Sequence, residues 1–155
     1  MKQGISIVML AIIIVILAVL ATVGVFTANS AIKKSNLSYF ATNMSKIEDA
    51  VASYFATRGT LPIKNNSSVL TKQTLLANVE TEKASFLSMQ IDKNGDTNSE
   101  FYYVDVKKAG LENLTFEVTD TSNNLVVNSE GTHVYLLDGY EIEGIIYFSI
   151  TKDME

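Results

Sequence analysis

Residues 37–62 read LSYFATNMSKIEDAVASYFATRGTLP, and Leu37, Phe40, Met44, Ile47, Val51 and Tyr54 recur in it at alternating steps of three and four. That spacing lines one face of an α-helix, while Asn43, Lys46, Asp49 and Ser53 fall elsewhere, so the segment predicts an amphipathic helix with a stripe made for burial. A coiled-coil seam wants about three or four heptads, more than this stripe supplies, so the expected partner is the chain's own sheet. Gly59 and Pro62 give the stop signal. Glycine takes the left-handed conformation at a helix end without steric cost, and Arg58 faces the negative end of the helix dipole.

Upstream, nothing obliges the helix to begin at Leu37. No Pro precedes Pro62, and Gly24 is the only Gly between Gly4 and Gly59. From Ile5 to Phe26 the chain reads ISIVMLAIIIVILAVLATVGVF, an uncharged run of about 22 residues that would cover roughly 33 Å as a helix, the hydrocarbon thickness of a bilayer. A cleaved secretory signal is the alternative, with Ala28-Asn29-Ser30 before Ala31 as its small-residue pattern, but the run exceeds the roughly 7 to 15 apolar residues of such signals. Lys2 and the N-terminal amine lie on one side of the run and Lys33 and Lys34 on the other, so the positive-inside rule gives no orientation. Unbroken from Ile5 to Arg58, the helix would extend roughly 80 Å.

Downstream, residues 63–68 are polar and predict a loop, and Thr71 predicts the cap of a short helix to about Asn78 that turns Leu75 and Leu76 inward. Phe86–Ile91 and Thr115–Val118 carry short strand-like alternation. Asn124–Asn128, His133–Leu137, Tyr140–Ile142 and Ile145–Ile150 are rich in Val, Ile, Leu and aromatics, separated by Ser129-Glu130-Gly131, Asp138-Gly139 and Glu143-Gly144. These predict consecutive hairpins in an antiparallel meander. The expected fold class is α+β, with a long N-terminal helix, half transmembrane and half amphipathic, packed on a C-terminal antiparallel β-sheet.

At 155 residues the chain has room for one folding unit. Three of its 12 basic residues, and none of its 17 acidic ones, precede Asn36, which leaves the remainder at about −8. An acidic exterior without a Lys/Arg cluster argues against nucleic acid as a partner, because phosphate neutralisation supplies most of that affinity. With no Cys and one His, disulfide frameworks, thiolate zinc sites, Cys nucleophiles and multi-histidine metal centres are excluded.

The best candidate for site chemistry is Asp92-Lys93-Asn94-Gly95-Asp96-Thr97-Asn98-Ser99-Glu100, where oxygen ligands at alternate positions of a tight loop suit a hard cation. It begins like an EF-hand loop and then departs from it, with Thr97 in place of the sharp-turn Gly and Tyr103 in place of the bidentate Glu. A looser calcium loop would use Asp92, Asn94, Asp96 and Glu100, and calcium is the one cofactor the sequence raises; a plain Asn/Asp/Gly turn is the alternative. His133, at the start of an apolar strand, has no nucleophile motif beside it and reads as a half-exposed strand residue. Glu141 and Glu143 lie two apart, but beside Gly144 they read as a solvated hairpin end rather than a carboxylate pair. No phosphate-cradling loop or dinucleotide fingerprint occurs, and no enzyme activity is expected. Asn-x-Ser/Thr tripeptides such as Asn36-Leu37-Ser38, Asn43-Met44-Ser45, Asn65-Asn66-Ser67 and Asn113-Leu114-Thr115 are expected by chance in a chain this rich in Asn and Ser.

Four stretches carry a family resemblance. Met1-Lys2-Gln3-Gly4 ahead of the apolar run resembles the class III leader of type IV pilins and type II secretion pseudopilins. The end of the helix, Ala50 to Pro62 with Tyr54-Phe55, Gly59 and Pro62, is similar to the helix ends of such proteins. Phe101-Tyr102-Tyr103-Val104-Asp105-Val106-Lys107-Lys108-Ala109-Gly110-Leu111 and Gly131-Thr132-His133-Val134-Tyr135-Leu136-Leu137-Asp138-Gly139 resemble the tails of Gram-positive, clostridial-type prepilins, with which the lack of Cys also agrees.

The resemblance implies a pilin-like fold with a leader at 1–4, a transmembrane helix at 5–27, a helical stalk at 28–58 and a globular head at 59–155. It implies cleavage by a prepilin peptidase after Gly4 and N-methylation of Ile5. It places the chain as a single-pass protein of the cytoplasmic membrane, head outside, reaching the cell surface when assembled. The implied partners are that peptidase, membrane lipid and other pilin-like subunits. Met9 stands where the family usually has a Glu that pairs with a neighbouring subunit's N-terminal amine, so the expected role is a minor or initiating filament subunit. The alternative is a stand-alone, membrane-anchored extracellular binding module.

Overall fold

The computed structural model describes residues 7–112, 124–151 and 154, the side chains of 7–10 and 17–29 excepted. The elements are α1 (Ile7–Arg58), α2 (Lys72–Ala77), α3 (Thr81–Lys93), β1 (Phe101–Tyr103), β2 (Leu125–Asn128), β3 (Val134–Leu136), β4 (Tyr140–Ile142) and β5 (Ile145–Tyr147). The protein is therefore α+β, with a long helix and antiparallel sheets. The strand expected at Thr115–Val118 lies outside the described residues.

The chain divides into two compact units, Met1–Asn36 and Leu37–Glu155. In the first, Ile12 to Ile16 of α1 are exposed apolar residues. Among the described residues no helix is long and apolar enough to cross a membrane. Within the 5–27 segment, side chains are described only at 11–16.

The second unit begins where the amphipathic stripe begins. Phe40, Met44, Ile47 and Val51 are fully buried in one cluster with Val104, Leu125, Val127, Val134 and Leu136. The expected packing of helix on sheet is thus observed, and Leu37 and Tyr54, at the ends of the stripe, are half-buried. Asn43, placed off the stripe by its spacing, is buried instead, because it lies three residues after Phe40 and four before Ile47, on the flank of the same helix face. Gly59 ends α1 at φ +68°, its N–H donating to the Phe55 carbonyl at 2.8 Å.

The sheet runs β1-β2-β3, with Tyr102 opposite Val127 and Val126 opposite Tyr135. Because side chains alternate along a strand, Leu125 and Val127 face α1 whereas Val126 faces the other way. There it joins Phe101, Tyr135, Leu75, Leu87, Ile91 and Phe148 in a second buried cluster. All four residues of β2 are buried, since α1 covers one face of the sheet and α2 and α3 the other.

Two expectations are corrected. Phe86–Ile91 is helical, within α3, because burial there follows a helical step: Leu87, Gln90 and Ile91 are inside while Met89 is 55% exposed. The four C-terminal strands do not form one meander. β2 and β3 pair as a hairpin, but β4 and β5 form a separate two-stranded sheet. The chain turns at Asp138-Gly139, with Gly139 at φ +71°, and the Leu136 N–H is taken by the Phe148 carbonyl at 2.7 Å, not by β4. The second sheet lies against α1 through Phe40, which stacks on Tyr140 at 5.4 Å between ring centroids and meets Tyr147 at 6.0 Å.

The short helix α2 is capped as expected. Thr71 and Thr74 exchange side-chain-to-backbone hydrogen bonds in a capping box, and Leu75 is buried while Leu76 is half-buried.

Candidate functional site

The most polar buried place in the second unit is the carboxyl of Asp96, in the loop between α3 and β1. Asp96 is 3% exposed, and an ion so placed needs donors on both oxygens. It has them. Oδ2 accepts from the Tyr135 hydroxyl at 2.6 Å and faces His133 Nδ1 at 3.0 Å. Oδ1 accepts from Asn128 Nδ2 at 2.9 Å and Ser99 Oγ at 3.2 Å. Burial alone would raise this carboxyl, but the bonds from His133, Tyr135 and Asn128 outweigh it and hold the group below the usual carboxylate range.

The partners are positioned by the β2–β3 hairpin. Asn128 Oδ1 accepts the backbone N–H groups of Thr132 and His133, which folds the turn back on the end of β2 and aims the imidazole at Asp96. The bond to Asp96 raises the His133 pKa. An acceptor on Nδ1 fixes the proton there and leaves Nε2 as the titrating nitrogen. Tyr135 is pushed well above the usual phenol range, by burial first and then by Asp96.

On the α1 side, Glu48 Oε1 accepts the backbone N–H of Val134 at 3.2 Å. Burial pushes Glu48 up from 4.5 to about 6.

The four residues raised as a calcium loop are near in sequence but turned to separate protein partners. Asp92 pairs with Lys72 Nζ at 2.6 Å and accepts from Thr97 Oγ1 at 2.7 Å, and these bonds lower its pKa. Asn94 Nδ2 points inward, within hydrogen-bond distance of Tyr135 Oη, Ser149 Oγ and the Ile150 carbonyl. Asp96 is enclosed as described, and Glu100 accepts from the Tyr102 hydroxyl at 2.8 Å. Among the described residues no group of three or more acidic or histidine side chains is gathered to hold a metal ion.

His133 is half-exposed, as expected, although its pairing with Asp96 was not visible in the sequence. Glu141 is exposed on β4 and Glu143 occupies the β4–β5 turn at φ +50°. Gly4 and Ile5 lie outside the described residues, and so does the Met9 side chain.

No family model, curated protein or solved structure matches the chain. Its chemistry must therefore be read from the geometry itself. A paired Asp and His could orient a general base, but among the described residues the hydrogen-bond partners of the His133 ring are Asp96 and the Thr132 hydroxyl, both at Nδ1, and neither is an activated nucleophile. The arrangement is instead a cross-link, in which one carboxylate ties the α3–β1 loop to β2, β3 and the turn between them.

Proposed function

We propose that the chain is a structural subunit, minor or initiating, of a type IV pilus-like or type II secretion-like filament, assembled from a membrane-anchored precursor. The observation that carries this reading is the course of α1. One helix, Ile7–Arg58, starts in the apolar run that follows Gly4 and ends as part of the core of an antiparallel head. Apolar side chains such as Ile12 to Ile16 are costly in water, so that half of the helix calls for lipid before assembly and for neighbouring helices after it. A head cross-linked through the buried Asp96 carboxylate suits a structural role.

Met9 supports the minor or initiating assignment, since it offers no carboxylate to an adjacent amine. It also favours the second reading, a stand-alone anchored binding module. Neighbouring genes for a prepilin peptidase, an assembly ATPase and a polytopic platform protein would separate the two.

The direct test is mass spectrometry of the chain expressed with a cognate prepilin peptidase. Cleavage between Gly4 and Ile5 is expected. An intact Met1 terminus beside active peptidase, or a mature chain starting at Ala31, would count against the filament reading.

A further inference from the structure

Helix α3 and the chain through β5 run side by side in the same direction. Gln90 bonds the backbone at Ile146 and Phe148, and Asn94, one turn further on, donates to Ser149 Oγ and the Ile150 carbonyl. Beside them opens a cleft of about 360 Å³, closed on its other side by Leu37 of α1 and by Met154. We propose that this cleft binds a single-chain anionic amphiphile of the fatty-acid kind, with the carboxylate at its Lys93–Thr151 end and the acyl chain toward Phe86 and Ile145.

The polarity of the cleft is graded along its length. Phe86, Met89 and Lys93 follow helical steps of three and four, so they share a face of α3 and place the ammonium roughly 10 Å along the axis from Phe86. The strand keeps pace, with Ile145 at the apolar end and Thr151 at the other. Met89 and Ile145 are exposed there, apolar surface that folding has left in water, and a thioether adapts its shape to a flexible chain. Size, apolar walls and a few convergent polar groups are the usual make-up of a small-molecule site.

The polar end fixes the sign of the ligand. Lys93 is the only charged residue lining the cleft and no acid lines it, although the chain as a whole carries −5. Thr151 is 5% exposed, yet among the described residues its hydroxyl has no hydrogen-bond partner. A buried hydroxyl left so is costly, and a carboxylate oxygen would accept its proton while the ammonium supplies the countercharge. A peptide strand suits the cleft less well. It would bring backbone donors and acceptors of its own, and the Gln90 amide that would meet them is spent on Ile146, Phe148 and Ser149. An acyl chain asks for no such bonds. The assignment does not depend on entry into a filament.

The test is methyl NMR of the full-length chain in phosphatidylcholine nanodiscs, titrated at neutral pH with decanoate and, separately, with decanol. Saturable shifts are expected at the Met89, Met154 and Ile145 methyls and none at the buried Met44 and Ile47. Decanol, with the same chain and no charge, should bind about three- to tenfold more weakly. Lys93→Gln should bring decanoate down to the level of decanol and leave decanol unchanged. Equal affinities for the two probes in the wild-type chain overturn the proposal without recourse to any variant. So do shifts that grow linearly with probe, as partition into the lipid would give, and an unchanged decanoate affinity in Lys93→Gln. Shifts of the same methyls that follow protein concentration alone would seat a second copy in the cleft and overturn it too.

Discussion

Gln90 and Phe148 are bonded as if they were neighbours on two strands. The side-chain Oε1 of Gln90 accepts the Phe148 N–H at 2.7 Å and the Ser149 N–H at 3.2 Å, while its Nε2 donates to the Ile146 carbonyl at 2.7 Å. A helix side chain thus satisfies the backbone on either side of the end of β5. Gln90→Leu should preserve volume and strand these buried groups, at a cost of about 2–4 kcal/mol in chemical denaturation. Met89→Ala, on the exposed side of the same helix, should stay within about 0.5 kcal/mol. Equal midpoints for the two variants would mean that the amide does not hold the hairpin.

The helix stripe should be graded along its length. Ile47→Asp places a charge in the fully buried cluster and should destabilise by about 3 kcal/mol or more, whereas Tyr54→Asp, at the half-buried end, should cost less. Lys46→Ala, on the exposed side, should be nearly neutral. Thermal unfolding of the three variants reads the order directly, and a neutral Ile47→Asp would contradict the packing.

Stability should peak in mildly acidic solution. Asp96 is lowered, so its contribution is present above about 3.8 and is lost as pH falls through its folded value. Glu48 is raised to about 6, so its proton-linked contribution, about 2 kcal/mol, is complete below 4.5 and lost as pH rises through 6. His133 is raised too, and its contribution is complete below 6.5 and lost above its folded value. Denaturant titrations should therefore show a maximum near pH 4 to 5 and a decline toward pH 8. Asp96→Asn should shrink the acid limb to the share left by Asp92, which is lowered as well, and Tyr135→Phe, losing a bond to a charged acceptor, should cost about 1.5–3 kcal/mol.

Met9 bears on assembly. In a dry helical core an unpaired ammonium costs several kcal/mol, roughly the penalty for a buried charge without a partner. On the proposed filament role, Met9→Glu should raise incorporation of the chain into filaments, measured by quantitative proteomics of sheared material. Finding the wild-type chain as the dominant component would show that this pairing does not govern the system.

The helix, its stop and the cap of α2 were legible because each depends on residues close in sequence: the three- and four-step stripe, Gly59 before Pro62, and Thr71 with Thr74. Helix α3 was misread because Phe86–Ile91 is too short a window to tell the two periods apart. Its start, at Thr81 after Glu80, carries no side-chain cap that would have marked it. The separation of the two sheets turned on Leu136 bonding to Phe148 rather than to β4, a choice made by tertiary packing. The polar cross-link was hidden for the same reason. Asp96, Asn128, His133 and Tyr135 meet across as many as 39 positions of chain, and no local pattern announces that meeting.

The loop before α2 has a consequence for how copies of this chain could join. Lys64 and Leu70 donate to the carbonyls of Tyr103 and Phe101, and the Phe101 N–H returns to Leu70, so the margin of β1 is occupied just as Glu48 and Phe148 occupy that of β3. The three-stranded sheet is thereby closed to strand addition at the bonded positions on both flanks, the usual route by which exposed strands polymerise. Any contact between copies at this sheet would then run through side-chain surfaces, leaving its backbone ladder inside each subunit untouched.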